Sequence, residues 1–216
     1  MRIRKKKWVE PFLKLDHPTY IKEPETLINQ WQSTFNKGFL HLEIGAGKGD
    51  YWLNMARQHP QALWVALEKE ETVGAMAIRK AYAFDVDNAF FIIDDASRIT
   101  EFFGEHEVDI IHLNFSDPWP KKSHWRRRLS SESYIDDYRK ILKPDGKIIM
   151  KTDNRQLFEY SLVNFNQQRF TLEEVYLDFR DAYYEKINKL DAITEYEQRF
   201  IDLEQPIYRG IWRKHA

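Results

Sequence analysis

A carboxylate, a flat aromatic ring and two lysines fall within the nine residues Asn114-Phe115-Ser116-Asp117-Pro118-Trp119-Pro120-Lys121-Lys122. Such a set can grip a planar heterocycle by its edge, stack on its face and hold a phosphate attached to it. Pro118 and Pro120 restrict φ and remove two backbone donors, so the segment is a stiff loop rather than more strand. Ahead of it, Val108-Asp109-Ile110-Ile111-His112-Leu113 reads as a buried strand. A loop at a strand's carboxyl end is where open α/β sheets place their chemistry. Ser123, His124, Trp125, Arg126, Arg127 and Arg128 follow at once, and Lys121 to Arg128 holds five cations and no acid. A planar base on a phosphate backbone suits this combination. A run of charge on a solvated face is the plain alternative.

A second constellation lies upstream, at Glu43-Ile44-Gly45-Ala46-Gly47-Lys48-Gly49. Glycines there let backbone approach a ligand, and a helix starting behind them offers unpaired N–H groups. A P-loop is excluded: Gly49 follows Lys48 where Ser or Thr is needed, and Leu42 stands at the required first glycine. The dinucleotide fingerprint has a different glycine spacing, and Glu43 would repel a pyrophosphate. An acid there suits a cationic ligand, such as the amino group and sulfonium of S-adenosylmethionine. Glu68 ends the next apolar run, where an acid can accept both ribose hydroxyls, a feature shared with NAD enzymes. Asp95, followed by Ala96, ends a third run and could accept from an adenine amino group. Capping of a following helix is the ordinary alternative for Asp95.

These residues need a scaffold of alternating strands and helices. Strands are expected at Phe39–Ile44, Leu63–Glu68, Ala89–Ile93, Val108–Phe115, Lys147–Lys151, Thr171–Phe179 and Ile207–Arg213. Helices are expected at Asp50–Gln58, Glu71–Tyr82, Ser131–Leu142 and Arg155–Gln167. Strict alternation implies a mostly parallel sheet with helices on both faces. The 216 residues, 43% hydrophobic and 15% aromatic, suit one domain with a sizeable core. Residues 1–30 read as a basic N-terminal extension in which Pro11, Pro18 and Pro24 oppose regular structure, and residues 31–216 as the domain. With no cysteine and no histidine pair at metal spacing, no disulfide, thiolate or metal site is expected. No stretch reads as a signal peptide or membrane span, so a cytoplasmic setting is expected. Net charge is −1, with the acids gathered late, from Asp181 to Glu204.

The glycine loop, Ser-Asp-Pro-Trp-Pro-Lys, Lys151-Thr152-Asp153-Asn154 and Thr194-Glu195-Tyr196-Glu197, in this order, resemble the bacterial tRNA (guanine-N7-)-methyltransferases, the TrmB family. The match spans about Gly38 to Arg209. It implies a class I, Rossmann-like methyltransferase with seven strands, the last antiparallel. It also implies methyl transfer from S-adenosylmethionine, leaving S-adenosylhomocysteine, to N7 of a variable-loop guanosine in tRNA. By this resemblance Glu43, Gly45, Gly47, Glu68, Asp95, Ala96 and Asp117 hold the cofactor, with Asp117 also catalytic. Lys121, Asp153, Thr194, Glu195, Tyr196 and Glu197 bind the substrate, and Ser123 to Arg128 contact RNA. The chain departs from the family at Lys122-Ser123-His124-Trp125, where Lys-Arg-His-x is usual, and in a longer Arg180–Ile193 segment. Thr194 with Glu197 three residues on also reads as a helix cap.

Three rival functions remain open from the residues. Asp-Pro-Trp is similar to the Asp-Pro-Pro-Tyr loop of enzymes that methylate exocyclic amines through the acid and a proline carbonyl. A non-catalytic tRNA-binding domain is the second, and an NAD oxidoreductase, disfavoured by the glycine spacing, the third. Monomer and homodimer are both compatible with the sequence.

Overall fold

Apolar runs four to seven residues long, each closed by a turn, form the centre of the molecule. A computed structural model of the chain describes residues 6–181 and 191–215. Strands β1 (Leu40–Ile44), β2 (Leu63–Glu68), β3 (Ala89–Ile93) and β4 (Val108–Asn114) are buried at most positions, as expected of strands covered on both faces. With β5 (Leu142–Thr152), β6 (Phe170–Tyr176) and β7 (Tyr208–Lys214) they form one sheet in the order β3-β2-β1-β4-β5-β7-β6. Strands β1 to β5 pair in parallel; β7 runs antiparallel to both β5 and β6. This is the mostly parallel sheet with an antiparallel last strand that the resemblance implies.

Helices α1 (Val9–Lys14), α2 (Trp31–Phe35), α3 (Asp50–Gln58), α4 (Glu71–Ala81), α5 (Ile99–Phe102), α6 (Glu132–Ile141), α7 (Arg155–Gln167) and α8 (Glu195–Asp202) surround it. Two clusters of buried side chains form, one with Leu40, Leu42, Ile111, Tyr138 and Phe158, the other with Trp52, Trp64, Ala77 and Phe91. Chain direction across the sheet reverses between β1 and β4, since β2 and β3 lie to one side and β5 onwards to the other. Open α/β sheets bind ligands at that reversal, outside the strands' carboxyl ends.

Two local expectations change. Prolines in the N-terminal segment coexist with regular structure. Pro11 is the third residue of α1, where its missing N–H would have had no helical partner. Val9 and His17 are buried, and Tyr20 pairs beside β3, with Phe91 N donating to Thr19 O at 2.7 Å and Ile21 N to Phe91 O at 2.9 Å. Residues 1–5 lie outside the described residues. Strand β5 also begins earlier than expected. Pro144-Asp145-Gly146 ends the preceding helix, but the chain stays beside β4 through an irregular stretch, Asp145 taking φ 61°. Among the described residues no helix is long and apolar enough to cross a membrane.

Candidate active site

Glu43 lies next to the end of β1, opposite β4 across the sheet reversal, and only 2% of it is exposed. Its Oε1 accepts from Asn114 Nδ2 at 2.9 Å, while its Oε2 has no hydrogen-bond partner. Burial raises its pKa to about 7, against the opposing pull of the Asn114 bond, the Lys151 charge and the neighbouring Trp52 backbone N–H, which lies close but forms no well-directed bond to it. A buried carboxylate oxygen without a donor is costly, so it marks a place where a cationic or N–H-bearing ligand would be welcome. The ammonium end of S-adenosylmethionine meets that requirement.

The glycine loop turns directly above. Gly45, Gly47 and Gly49 take φ of 76°, 57° and 76°. A Cβ on Gly49 would stand 2.9 Å from the Trp52 ring and 3.1 Å from Ala77, so this glycine also lets α3 pack. Gly47 faces open space, and its N–H donates to Glu68 Oε2 at 3.1 Å. Glu68 Oε1 accepts from Glu70 N at 3.0 Å, leaving the carboxylate anchored at the end of β2. Asp95 accepts from Ser97 N at 2.9 Å, which holds its carboxyl below the usual range; the capping alternative is therefore realised.

Two clefts meet over this edge. One, of about 270 Å³, is lined by Glu68, Asp95, Ala96, Asp117 and Trp119 among others. Its neighbour, of about 380 Å³, is lined by Glu43, Gly47, Asn114, Thr194 and Tyr196 among others. Gly45 and Phe115 line both. Glu43, Glu68 and Asp95, with Gly45 and Gly47, thus line two adjoining clefts, together a channel along this edge of the sheet.

The loop after β4 enters the channel in a strained form. Phe115 and Trp119 take φ of 51° and 40°, a region that costs a non-glycine residue roughly 1–3 kcal/mol. Asp117 lies exposed between them. The Phe115 ring meets the Tyr196 ring edge-on at 5.2 Å. Burial raises the Tyr196 phenol pKa, and the negative charges of Asp153 and Asp117 raise it further against the pull of Arg199. Asp153 is half-buried past the end of β5, and burial raises its carboxyl too. Trp119 packs edge-on against His124 at 5.7 Å and carries the Arg127 guanidinium 5.1 Å from its ring.

The basic run splits on folding. Lys121, Ser123, Arg126 and Arg127 are exposed on and beside the turn Lys122–Arg127. Arg128, expected to contact RNA with its neighbours, is 2% exposed, and its guanidinium is engaged within the protein. Its Nε donates to Pro118 O at 2.8 Å and its Nη2 to Trp119 O at 3.3 Å. Its guanidinium lies 4.7 Å from the Trp125 ring and 4.4 Å from the Tyr160 ring. Trp125 is half-buried in that stack, edge-on to Tyr160 at 5.4 Å, rather than presented to a ligand.

Thr194 and Glu197 form the expected capping box at the start of α8: Thr194 Oγ1 accepts from Glu197 N at 2.8 Å, and Glu197 Oε2 from Thr194 N at 3.4 Å. Glu197 is wholly buried, and its carboxylate is bound by Lys151 Nζ at 3.0 Å and Arg180 Nη2 at 2.5 Å. It therefore has a structural partner set and does not line the clefts, unlike Thr194 and Tyr196. Glu195 opens the helix. Asp191 completes the cluster, 2.6 Å from Lys151 and 3.0 Å from Arg180. Burial pushes Asp191 up, yet Lys151, Arg180 and Arg209 hold it below the usual carboxylate range. Sequence reading missed Asn114, Lys151, Arg180 and Asp191 as partners; a lysine inside an apolar strand was the available signal. Residues 182–190, which include most of the unusually long segment, lie outside the described residues.

A family model described as "Putative methyltransferase" matches residues 37–210. The chain is 41% identical over 211 residues to the tRNA (guanine-N(7)-)-methyltransferase of Streptococcus thermophilus, covering 97% of each chain. It is 42% identical over 213 residues to that of Lactiplantibacillus plantarum, covering 98% of this chain and 97% of the relative. Among solved structures, the 16S rRNA methyltransferase KamB superposes with a TM-score of 0.63 at 15% identity, over 87% of this chain and 94% of that one. The plantazolicin methyltransferase BamL, solved with S-adenosylhomocysteine, gives 0.54 at 15% identity over 89% and 83%; both share the fold. The chain belongs to the tRNA (guanine-N(7)-)-methyltransferase family.

Proposed function

We propose that this protein transfers a methyl group from S-adenosylmethionine to N7 of a variable-loop guanosine in tRNA, in the cytoplasm. The observation that carries the reading is the opening of Asp117 and Trp119 into the cleft that also holds Glu68 and Asp95, beside the cleft of Glu43, Thr194 and Tyr196. When bound, S-adenosylmethionine supplies the electrophilic methyl group and leaves as S-adenosylhomocysteine. Glu43 would hold its ammonium, Glu68 its ribose hydroxyls, and Asp95 with Ala96 its adenine, with Gly45 and Gly47 giving close backbone approach.

Guanine N7 carries a free lone pair at neutral pH, so no residue has to remove a proton before bond formation. The residues' task is alignment in a fitted electrostatic site. Asp117 orients the base and favours the positive charge developing on its ring. Asp153 accepts from the N1–H and amino edge, which adenine lacks in that arrangement. Thr194 and Tyr196 close the site from α8; Glu195 and Glu197 belong to the same segment, the latter holding it in place. Lys121, Ser123, His124, Arg126 and Arg127 bind the RNA backbone, and Trp119 offers a ring for stacking worth roughly 1–3 kcal/mol.

Labelled S-adenosylmethionine with unmodified tRNA, followed by mapping of the methyl group, tests this directly. Label at N7 of a variable-loop guanosine is expected. Label on an exocyclic amine, or none with tRNA bound, would replace this reading by a rival.

A further inference from the structure

Three arginines stand in a row at 126, 127 and 128, and only the last is buried. Among the described residues no carboxylate pairs with Arg128. Its charge is met by two peptide carbonyls, those of Pro118 and Trp119, and by the faces of Trp125 and Tyr160. A buried guanidinium with no counter-acid is an expensive choice for merely filling space. What it holds is the peptide stretch directly after Asp117, flanked by Phe115 and Trp119 at positive φ. Tyr160 belongs to α7, so Arg128 ties this strained loop to a helix packed on the sheet.

The identity of the bound carbonyl matters for chemistry. At N7, the lone pair forms the nitrogen–carbon bond, the sulfur–carbon pair stays on sulfur, and no proton leaves. At an exocyclic amine a proton must also leave, and both N–H groups need acceptors to aim the nitrogen. A loop of the acid-proline type offers the acid side chain and the proline carbonyl for that purpose. Here the Pro118 carbonyl accepts from Arg128 Nε at 2.8 Å on the inner side of the loop, and Pro118 does not line the cleft, whereas Ser116, Asp117 and Trp119 do.

We propose that Arg128 is a positioning and specificity-determining residue: it clamps the loop bearing Asp117 and withholds the Pro118 carbonyl from any substrate amine. This rests on the methyl-transfer reading and assigns to Arg128 a role other than RNA contact.

The test compares Arg128→Lys and Arg128→Met with Arg126→Ala in the full-length protein. Titrations of tRNA binding against salt come first, because a phosphate contact carries a slope of about 0.7–0.9 per charge removed. Arg126→Ala should shallow the slope by about that amount; both Arg128 variants should leave it at the wild-type value. In single turnover at saturating tRNA, Arg128→Met should slow transfer at least roughly tenfold, with S-adenosylmethionine affinity within about twofold of wild type. Arg128→Lys, whose ammonium can reach one carbonyl but not fork to both, should recover part of the rate. A reduced slope in Arg128→Met, with wild-type saturated rate, would overturn the clamp and restore a phosphate contact. Should Arg128→Met not fold, Arg128→Lys decides alone: a wild-type saturated rate in it overturns the need for the fork. Wild-type label found on an exocyclic amine would sink the underlying reading instead, a result distinct from either.

Discussion

Glu43 and Glu197 are both buried acids beside the same channel, and they have opposite surroundings. Glu197 has Lys151 and Arg180 on its two oxygens and a capping bond from Thr194 N. Glu43 has one amide on one oxygen and, among the described residues, no formed hydrogen bond on the other, where only the Trp52 backbone N–H lies near; burial lifts its pKa to about 7. A buried acid supplied with the protein's own cations is a fixture that shapes the site. One with an oxygen left without a formed bond has capacity to accept a further N–H or cation. Arg128 extends the contrast to cations: Arg126 and Arg127 face solvent, whereas Arg128 is enclosed by carbonyls and rings.

The largest effect expected from that contrast is on stability. Lys151→Met removes a buried cation shared by Asp191 and Glu197, and stripping one partner from such a cluster costs about 3–5 kcal/mol. For a chain of this size that corresponds to a melting temperature lower by on the order of 10 °C. Thermal unfolding checks it; a drop of a degree or two would mean that Arg180 alone neutralises both acids.

Next comes Asp117, which among the described residues forms no ion pair, so that its proposed role rests on its charge. Asp117→Asn should slow single-turnover methylation by roughly 100-fold while tRNA affinity changes little, because the amide keeps shape but not charge. The wild-type chemical step should stay nearly flat with pH around neutrality, since N7 has no proton to give up. Near-wild-type rates in the variant would remove Asp117 from the mechanism. The smallest effect is electrostatic: Arg127→Ala should shallow the salt dependence of tRNA binding by about 0.7–0.9 and leave thermal unfolding unaltered. An unchanged slope would make this exposed face a solvated surface.

Much of the scaffold is legible locally. Asp50–Gln58, Leu63–Glu68, Ala89–Ile93 and Arg155–Gln167 have the bounds expected from periodicity. Nearby signals mark such bounds: Pro60 follows the end of Asp50–Gln58, and Asn154 starts Arg155–Gln167, its side chain accepting from Leu157 N. The acids of the channel are legible too, because strand ends put them at one edge. What was not legible depends on partners distant in sequence. Arg128 looks like Arg127 until Tyr160 and the Pro118 carbonyl arrive beside it. Lys151 reads as one residue of a motif until Asp191 and Glu197 close on it. In the N-terminal segment, the fold of residues 9–21 is set by packing against α4 and pairing at Phe91, which outweighs the two prolines Pro11 and Pro18.

If the Glu43 carboxylate receives the cation of the methyl donor, as proposed, binding of that donor must be linked to the carboxylate's protonation. The folded protein without ligand holds the Glu43 proton more tightly than an unfolded chain does. Its stability contribution is therefore full below the ordinary pKa of 4.5 and is lost as pH rises through about 7. A bound ammonium reverses the preference and favours the ionised form. Calorimetric affinity for S-adenosylmethionine should accordingly rise with pH, by up to roughly tenfold per unit, and level off above about pH 7. Glu43→Gln should flatten that rise, bind at least about tenfold more weakly near pH 8, and melt no lower than wild type there. Wild-type affinity and an unaltered pH profile in Glu43→Gln would contradict the account.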